Sequence, residues 1–144
     1  MVNQATKIAR KRRAQAGTST VEAVIVLPVM LLLVFAIAEL GIAFTRSNSL
    51  TNAVREGARE GVVFRSPCDG ALVRAQVMTT VSSFASSSGI DPATITTTVT
   101  GACTGTGTQL TVDATVPYNF VALDSLAGLA PSLNLTARTV MRNE

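Results

Sequence analysis

The stretch Ala23–Ala38, AVIVLPVMLLLVFAIA, holds sixteen consecutive residues without a charge. Glu39 interrupts it, and the apolar character resumes from Leu40 to Phe44. As a helix, the uninterrupted part would reach about 24 Å and residues 23–44 about 33 Å, against a bilayer hydrocarbon core of roughly 30 Å. The sequence therefore predicts one membrane-crossing helix, spanning about residues 23–44.

Charges flank this stretch unevenly. Five cationic residues and no acid precede Gly17, whereas the rest of the 144-residue chain carries seven Arg against nine acids. By the positive-inside rule, residues 1–17 stay in the cytoplasm and everything beyond the span is exported. Because the excess of positive charge is confined to this arm, the sequence does not predict a nucleic-acid-binding face, which would need basic residues within the folded part.

Few residues of the kind that carry catalysis are present. The chain has no His, which excludes any catalytic triad or metal site built on imidazole. Its nine acids are scattered, and the glycine-rich segment Gly101–Gly107 lacks the Lys of a phosphate-binding loop. We therefore expect a structural or interaction protein that is not an enzyme and needs no cofactor.

The entry to the apolar stretch reads Ala16-Gly17-Thr18-Ser19-Thr20-Val21-Glu22. A Gly followed five residues later by a Glu, after a basic leader, resembles the type IV prepilin signal. The resemblance implies that a prepilin peptidase cuts after Gly17, that Thr18 becomes the new N-terminus, and that Glu22 is the fifth mature residue. Ser19 and Glu22 also fit the S-x-x-E pattern of a capping box, which would start the helix at this point.

A conventional secretory signal is the competing interpretation. Ala36-Ile37-Ala38 ahead of Glu39 would serve as a small-x-small cleavage site, which would release the exported part from the membrane. Pro28 near the middle of the apolar region and the long polar region before it are unusual for such a signal.

Three segments together resemble the TadE-like proteins of the tight-adherence (Tad, or Flp) pilus system: residues 17–41, GTSTVEAVIVLPVMLLLVFAIAELG; residues 53–59, AVREGAR; and residues 136–142, TARTVMR. The resemblance implies a single-pass pseudopilin of the bacterial inner membrane, with a periplasmic C-terminal domain, that helps to initiate, prime or cap a pilus. The implied partners are the prepilin peptidase, other pilins and pseudopilins, the inner-membrane assembly platform and the lipid bilayer. A secreted binding or adhesive domain and a permanently membrane-bound scaffold are the alternatives.

Beyond the span, residues 45–64 contain no Pro and predict that the same helix continues as a stalk. Ala53, Gly57 and Gly61 recur every four residues, a pattern of small residues that permits the close approach of another backbone.

Charges on the stalk form like-charged rows, because Arg55 and Arg59 share one helical stripe and Glu56 and Glu60 share the next. Only Glu56 with Arg59 is a favourable local pair. Their partners are then on the exported domain or on a neighbouring subunit, unless the face is simply solvated. The residues that we predict to contribute to assembly are Glu22, Pro28, Glu39, Arg55, Glu56, Gly57, Arg59 and Gly61.

Residues 65–144 predict a small exported α+β domain. An amphipathic helix over residues 71–84, with Leu72, Val73, Val77, Val81 and Phe84 on its apolar face, precedes three strands with period-two patterns. The strands are predicted at residues 95–100, 110–116 and 133–140, and residues 119–129 fit either a short helix or an apolar loop. This order predicts a pilin-like antiparallel sheet packed on a helix, behind a leader (1–17) and a long helix (18–64).

The two cysteines, Cys68 and Cys103, both lie on the exported side. In an oxidising compartment, and without a His to activate a thiol, a disulfide is the favoured interpretation.

Overall fold

The computed structural model describes residues 3–63, 67–121, 124 and 132–144, with side chains from residue 20 onward. The elements in chain order are α1 (Asn3–Val62), α2 (Gly70–Ser87), a short 3-10 turn (Pro92–Thr94), β1 (Thr96–Thr100), β2 (Gln109–Asn119) and β3 (Ser132–Arg142). The predicted α+β class is confirmed: a long apolar N-terminal helix is followed by a second helix and a three-stranded antiparallel sheet.

Helix α1 divides into two parts according to what covers it. None of the residues from 20 to 38 is buried, whereas the part beyond Glu39 contributes Leu50, Ala53, Val54 and Ala58 to the core. The helix ends at Val62, two residues before the predicted end at 64, and residues 64–66 lie outside the described part. At this end the Val62 carbonyl accepts a hydrogen bond from the Glu144 amide, 3.2 Å away.

Helix α2 begins where Asp69 caps it. The Asp69 carboxylate accepts hydrogen bonds from the amides of Ala71 (2.8 Å) and Leu72 (3.4 Å), which satisfies donors that a helix start leaves free. The buried stripe recurs every fourth residue and consists of Val73, Val77, Val81 and Ala85.

The prediction of the apolar face of α2 is therefore wrong for two residues. Leu72 and Phe84 are exposed, and Ala85 takes a core position instead. Val77 and Val81 of the buried row lie close to Gly57 and Gly61 of α1, so the face of α2 that contains this row packs against the long helix.

The sheet has the order β1-β2-β3, and both pairings are antiparallel. β2 alternates strictly and buries Leu110, Val112, Ala114, Val116 and Tyr118. It extends to Asn119, beyond the predicted end at 116, through Pro117. Proline fits there because β1 pairs only with residues 111–115 of β2, so the backbone at Pro117 has a strand neighbour on one side alone.

The register of the sheet defines the two ends of the C-terminal domain, which consists of α2, the sheet and the part of α1 that they cover. Leu110, at the start of β2, lies beside Gly61 of α1, whereas Tyr118, near its end, reaches Glu39. β2 thus runs antiparallel to α1. We call the end at Glu39 and Tyr118 the proximal end, and the end at Gly61 and Leu110 the distal end.

The predicted helix or loop at 119–129 falls largely outside the described residues. Asn119 closes β2, Phe120 and Val121 follow it, and residues 122–123 and 125–131 are not described.

Candidate assembly surface

The uncovered part of α1, residues 20–38, carries most of the exposed large hydrophobic side chains of the described chain. An 18-residue window within Thr20–Val62 reaches a mean hydropathy of 2.8 with none of its residues buried. A soluble core helix would hide such a face against its own protein. One N-terminal helix of this length and composition fits a single-pass membrane protein.

Glu22 and Pro28 both lie exposed on this apolar part. The helix passes through Pro28 without a break in its assignment. Glu22 is the first acid after the basic leader, and an exposed carboxylate in a lipid-facing helix is costly unless it has a function or a partner.

The predicted processing residues Gly17 and Thr18 lie within α1, and their side chains are outside the described part. Since α1 begins at Asn3, the expectation that a capping box at Ser19 and Glu22 starts the helix is wrong for the uncleaved chain. Helical hydrogen bonding continues into the leader, so the amides near Ser19 are not those of a helix start.

Glu39 is the first buried residue after the apolar segment, with 8% of its surface exposed. The Tyr118 hydroxyl donates a hydrogen bond to the Glu39 backbone carbonyl, 3.4 Å away. The Tyr118 ring is flanked by Phe120, edge-on with centroids 5.0 Å apart, and by the Arg46 guanidinium, whose carbon lies 5.2 Å from the ring centroid. The predicted span to residue 44 therefore overlaps the part of α1 that the C-terminal domain covers.

The charged stalk residues differ in their contacts with the rest of the described chain. Arg55 and Arg59 are exposed, Glu56 is half-buried, and no salt bridge joins any of the three to another described side chain. Glu60 instead accepts a hydrogen bond from the Gln76 side chain of α2, 2.8 Å away. Glu60 thus has a partner on α2, as one of the three interpretations left open by the sequence expects. For the other three charges, a neighbouring subunit and a solvated face remain.

Gly57 and Gly61 face the interior of the same chain. A Cβ added at Gly57 would lie 2.5 Å from a Val81 methyl, and one at Gly61 would lie 2.7 Å from a Leu110 methyl and 2.8 Å from a Val77 methyl. The close backbone approach predicted from the small-residue pattern is therefore made by α2 and β2. That these glycines also contribute to contacts between chains stays a prediction. Their packing within this chain already accounts for the absence of a side chain.

The predicted disulfide is present and joins Cys68 to Cys103, with the Cα atoms 5.8 Å apart. It ties the start of α2 to the β1–β2 loop at the distal end. Asn143 holds the same loop, because its side-chain amide donates to the Gly101 carbonyl and to the Thr108 hydroxyl, each at 2.8 Å. Gly101 is required there, since its φ is +81° and a Cβ would collide with the Gln109 carbonyl.

Sequence reasoning missed Arg46, Tyr118 and Asn143. Tyr118 had a usable signal, because it continues the even-numbered inward row of β2 past Pro117. Arg46 and Asn143 had none, since both act on elements distant in sequence. Within the described residues, no three side chains of the His, Cys, Asp and Glu types come together as a ligand set for a metal.

Comparison with known proteins gives one match. The model of the TadE-like protein family matches residues 17–59, which begin at the predicted cleavage site and end on the charged stalk. No curated protein and no solved structure matches the chain. The match covers 43 of the 144 residues. The resemblance found in the sequence is thus confirmed for the apolar helix and its stalk, because residues 17–59 are similar to the TadE-like protein family.

Proposed function

We propose that this chain is a pseudopilin of a Tad pilus that helps to initiate, prime or cap the filament through its N-terminal helix. In this proposal a prepilin peptidase removes residues 1–17, and α1 then anchors the protein in the inner membrane with the domain in the periplasm. Its partners are other pilins and pseudopilins of the system and the assembly platform of the inner membrane.

The observation that carries the proposal is the division of α1. The TadE-like match begins at Gly17. None of the apolar residues from 20 to 38 is buried against the exported domain. A helix with this much free apolar surface can exchange lipid for other helices without unfolding its domain. A pilin helix must be able to make this exchange when it moves from the bilayer into a filament.

Charge placement supports contacts between chains on the stalk. Arg55 and Arg59 are exposed one turn apart, and no acid of the described exported domain pairs with them. Glu56, adjacent in sequence and half-buried, also lacks a salt bridge among the described side chains. Two such helices, shifted along each other, would bring the arginines of one beside the acids of the next.

The deciding experiment is the intact mass of the protein from its native host, first in membranes and then in sheared filaments. A mature chain that begins at Thr18 and occurs in the filament fraction is the expected result. A mature chain that begins at Glu39 would overturn the proposal.

A secreted domain is the second candidate, because one observation favours it. The buried contacts of α1 begin at Glu39, so a chain cut after Ala38 would keep the whole core. The same mass measurement separates the two candidates, since this product would be soluble in the periplasm or medium.

A permanent membrane scaffold is the remaining alternative. It shares the Thr18 terminus and the membrane location, but the protein would be absent from sheared filaments even when the host is fully piliated.

A further inference from the structure

The proximal end of the exported domain carries an apolar ring that continues the surface of the bare helix. Its members, here called the proximal collar, are Leu40, Ile42 and Phe44 of α1, Val121 just after β2, and Leu133 of β3. All five are exposed large hydrophobic residues, with Phe44 at 68% and Val121 at 73% exposure. We propose that the proximal collar rests in the headgroup layer of the bilayer, so that the exported domain itself contacts lipid; this rests on the proposed membrane anchoring.

The position of the collar along α1 agrees with the dimensions of a bilayer. The uncovered residues 20–38 span about 28 Å as a helix, close to the roughly 30 Å of a hydrocarbon core. Glu39 then marks the outer boundary of that core, five residues nearer the N-terminus than the end of the predicted span at 44.

The collar residues of α1 lie within one helical turn and a half of that boundary. Phe44 is about 7 Å beyond Glu39 along the axis, and the headgroup region adds roughly 5–7 Å on each side of the core. Leu133 belongs to the same level, because it pairs with Tyr118 and Tyr118 reaches Glu39. Val121 follows Tyr118 by three positions and so leaves β2 at this proximal end.

The polar groups at this level are arranged as an interface requires. Glu39 is buried against the domain, which shields it from lipid. The Tyr118 ring lies between Phe120 and the Arg46 guanidinium, and aromatic and Arg side chains are typical of the boundary between lipid and water.

A second copy of the chain is the competing occupant of the collar. Lipid is favoured because the collar directly continues the bare helix, on α1 itself and on β3 beside it, so a membrane that holds the helix up to Glu39 also reaches the collar. An interface with another copy would instead require a second chain whose contact surface lies at the same depth in the membrane as the collar.

Tryptophan fluorescence tests the proposal directly, because the chain contains no Trp. The full chain carrying Val121→Trp, or Leu133→Trp as a second probe, would be reconstituted in phosphatidylcholine–phosphatidylglycerol vesicles. Lipids brominated near the headgroup end of the acyl chains report contact with the shallow layer, and acrylamide reports access from water.

Two further variants serve as references. Val29→Trp reports the middle of the span, and Leu72→Trp, similarly exposed but near the distal disulfide, reports a part of the domain far from the membrane. We expect Val121→Trp to lose most of its emission to shallow-brominated lipid and Leu72→Trp to lose its emission only to acrylamide.

The outcomes separate the collar from the anchor. If lipid quenches Val29→Trp while only acrylamide quenches Val121→Trp, the proposed contact of the collar with lipid is overturned. The membrane anchoring would then remain supported. A Val121→Trp probe shielded from both quenchers would overturn it in favour of a second copy. Loss of lipid quenching at Val29→Trp would contradict the membrane anchoring itself.

Discussion

The Tyr118 hydroxyl on β2 donates a hydrogen bond to the backbone carbonyl of Glu39 on α1, across 79 positions of sequence. This contact lies where the C-terminal domain first covers the long helix, and the uncovered apolar residues of α1 from 20 to 38 lie on its N-terminal side. One tyrosine therefore marks the boundary between the part of α1 that belongs to the domain and the part that is free for lipid or other helices.

Removing only the hydroxyl should cost little stability. We expect Tyr118→Phe to lower the free energy of unfolding by about 0.5–1 kcal/mol, since the 3.4 Å bond is long and the ring contacts remain. Tyr118→Ala should cost about 3–5 kcal/mol, because it removes a buried ring from Phe120 and Arg46. Thermal unfolding of the full chain in detergent micelles measures both; equal losses would contradict the dominance of ring packing.

The glycines on α1 offer a matched pair of substitutions. Gly57→Ala should destabilise the domain by about 1–2 kcal/mol, because overpacking against Val81 exceeds the gain in helix propensity. Gly41→Ala should stabilise the helix by up to about 1 kcal/mol, since an added Cβ meets nothing within 4 Å. Chemical denaturation of the two variants gives the sign directly. A stabilised Gly57→Ala variant would contradict the tight α1–α2 packing.

The disulfide should contribute substantially to so small a domain. Replacing both cysteines, Cys68→Ser with Cys103→Ser, should lower the free energy of unfolding by roughly 3–4 kcal/mol, because a loop of about 35 residues is no longer closed in the unfolded chain. Reduced wild-type protein should unfold like the double variant. Alkylation of unreduced, folded protein should label neither cysteine, and full labelling of both would contradict the bond.

Cleavage after Gly17 has a direct genetic test. Gly17→Leu should leave the full-length precursor in the membrane, because a side chain at this position obstructs close approach of the protease to the backbone. Ala14→Leu, an equally bulky change within the leader, should be processed normally. Intact mass distinguishes precursor from mature protein, and normal processing of Gly17→Leu would refute the predicted site.

Glu22 should matter for assembly more than for cleavage or insertion. In an array of apolar helices its carboxylate needs a cationic partner, and the amino group freed at Thr18 of a neighbouring chain provides one. Glu22→Ala should therefore be cleaved and remain in the membrane, but fail to restore pili in a deletion strain. Val21→Ala, on the adjacent exposed position, should restore them. Normal piliation by Glu22→Ala would contradict this role.

Much of the fold could be predicted because its signals are local. The period-two rows of β2 and β3, the apolar run of α1 and the turn residues around Asp69 each act on their own neighbours in sequence. The errors occur where packing against another element determines which residues are buried. Leu72 and Phe84 are as apolar as the core residues of α2, but only the four-residue row from Val73 is buried.

The candidate assembly surface divides in the same way. The apolar helix, the processing motif and the charges of the stalk could be found from the sequence, because residue type alone specifies them. The face of α1 that stays free could not be found from the sequence, since Ala53, Gly57 and Gly61 are equally suited to contact with a partner chain and with α2. The close contacts with Val77, Val81 and Leu110 decide that these small residues belong to the interior of the chain.

By itself, the sequence determined the membrane-compatible helix, the TadE-like segment, the α+β class and the two cysteines available for pairing. These features depend on hydrophobicity, periodicity and residue chemistry, which act over short distances. Only the tertiary structure decided that the C-terminal domain covers α1 from Glu39 onward, because that limit depends on the register of β2 against α1. The hydrogen bond from Tyr118 and the burial of Glu39 arise only when distant parts of the chain pack together.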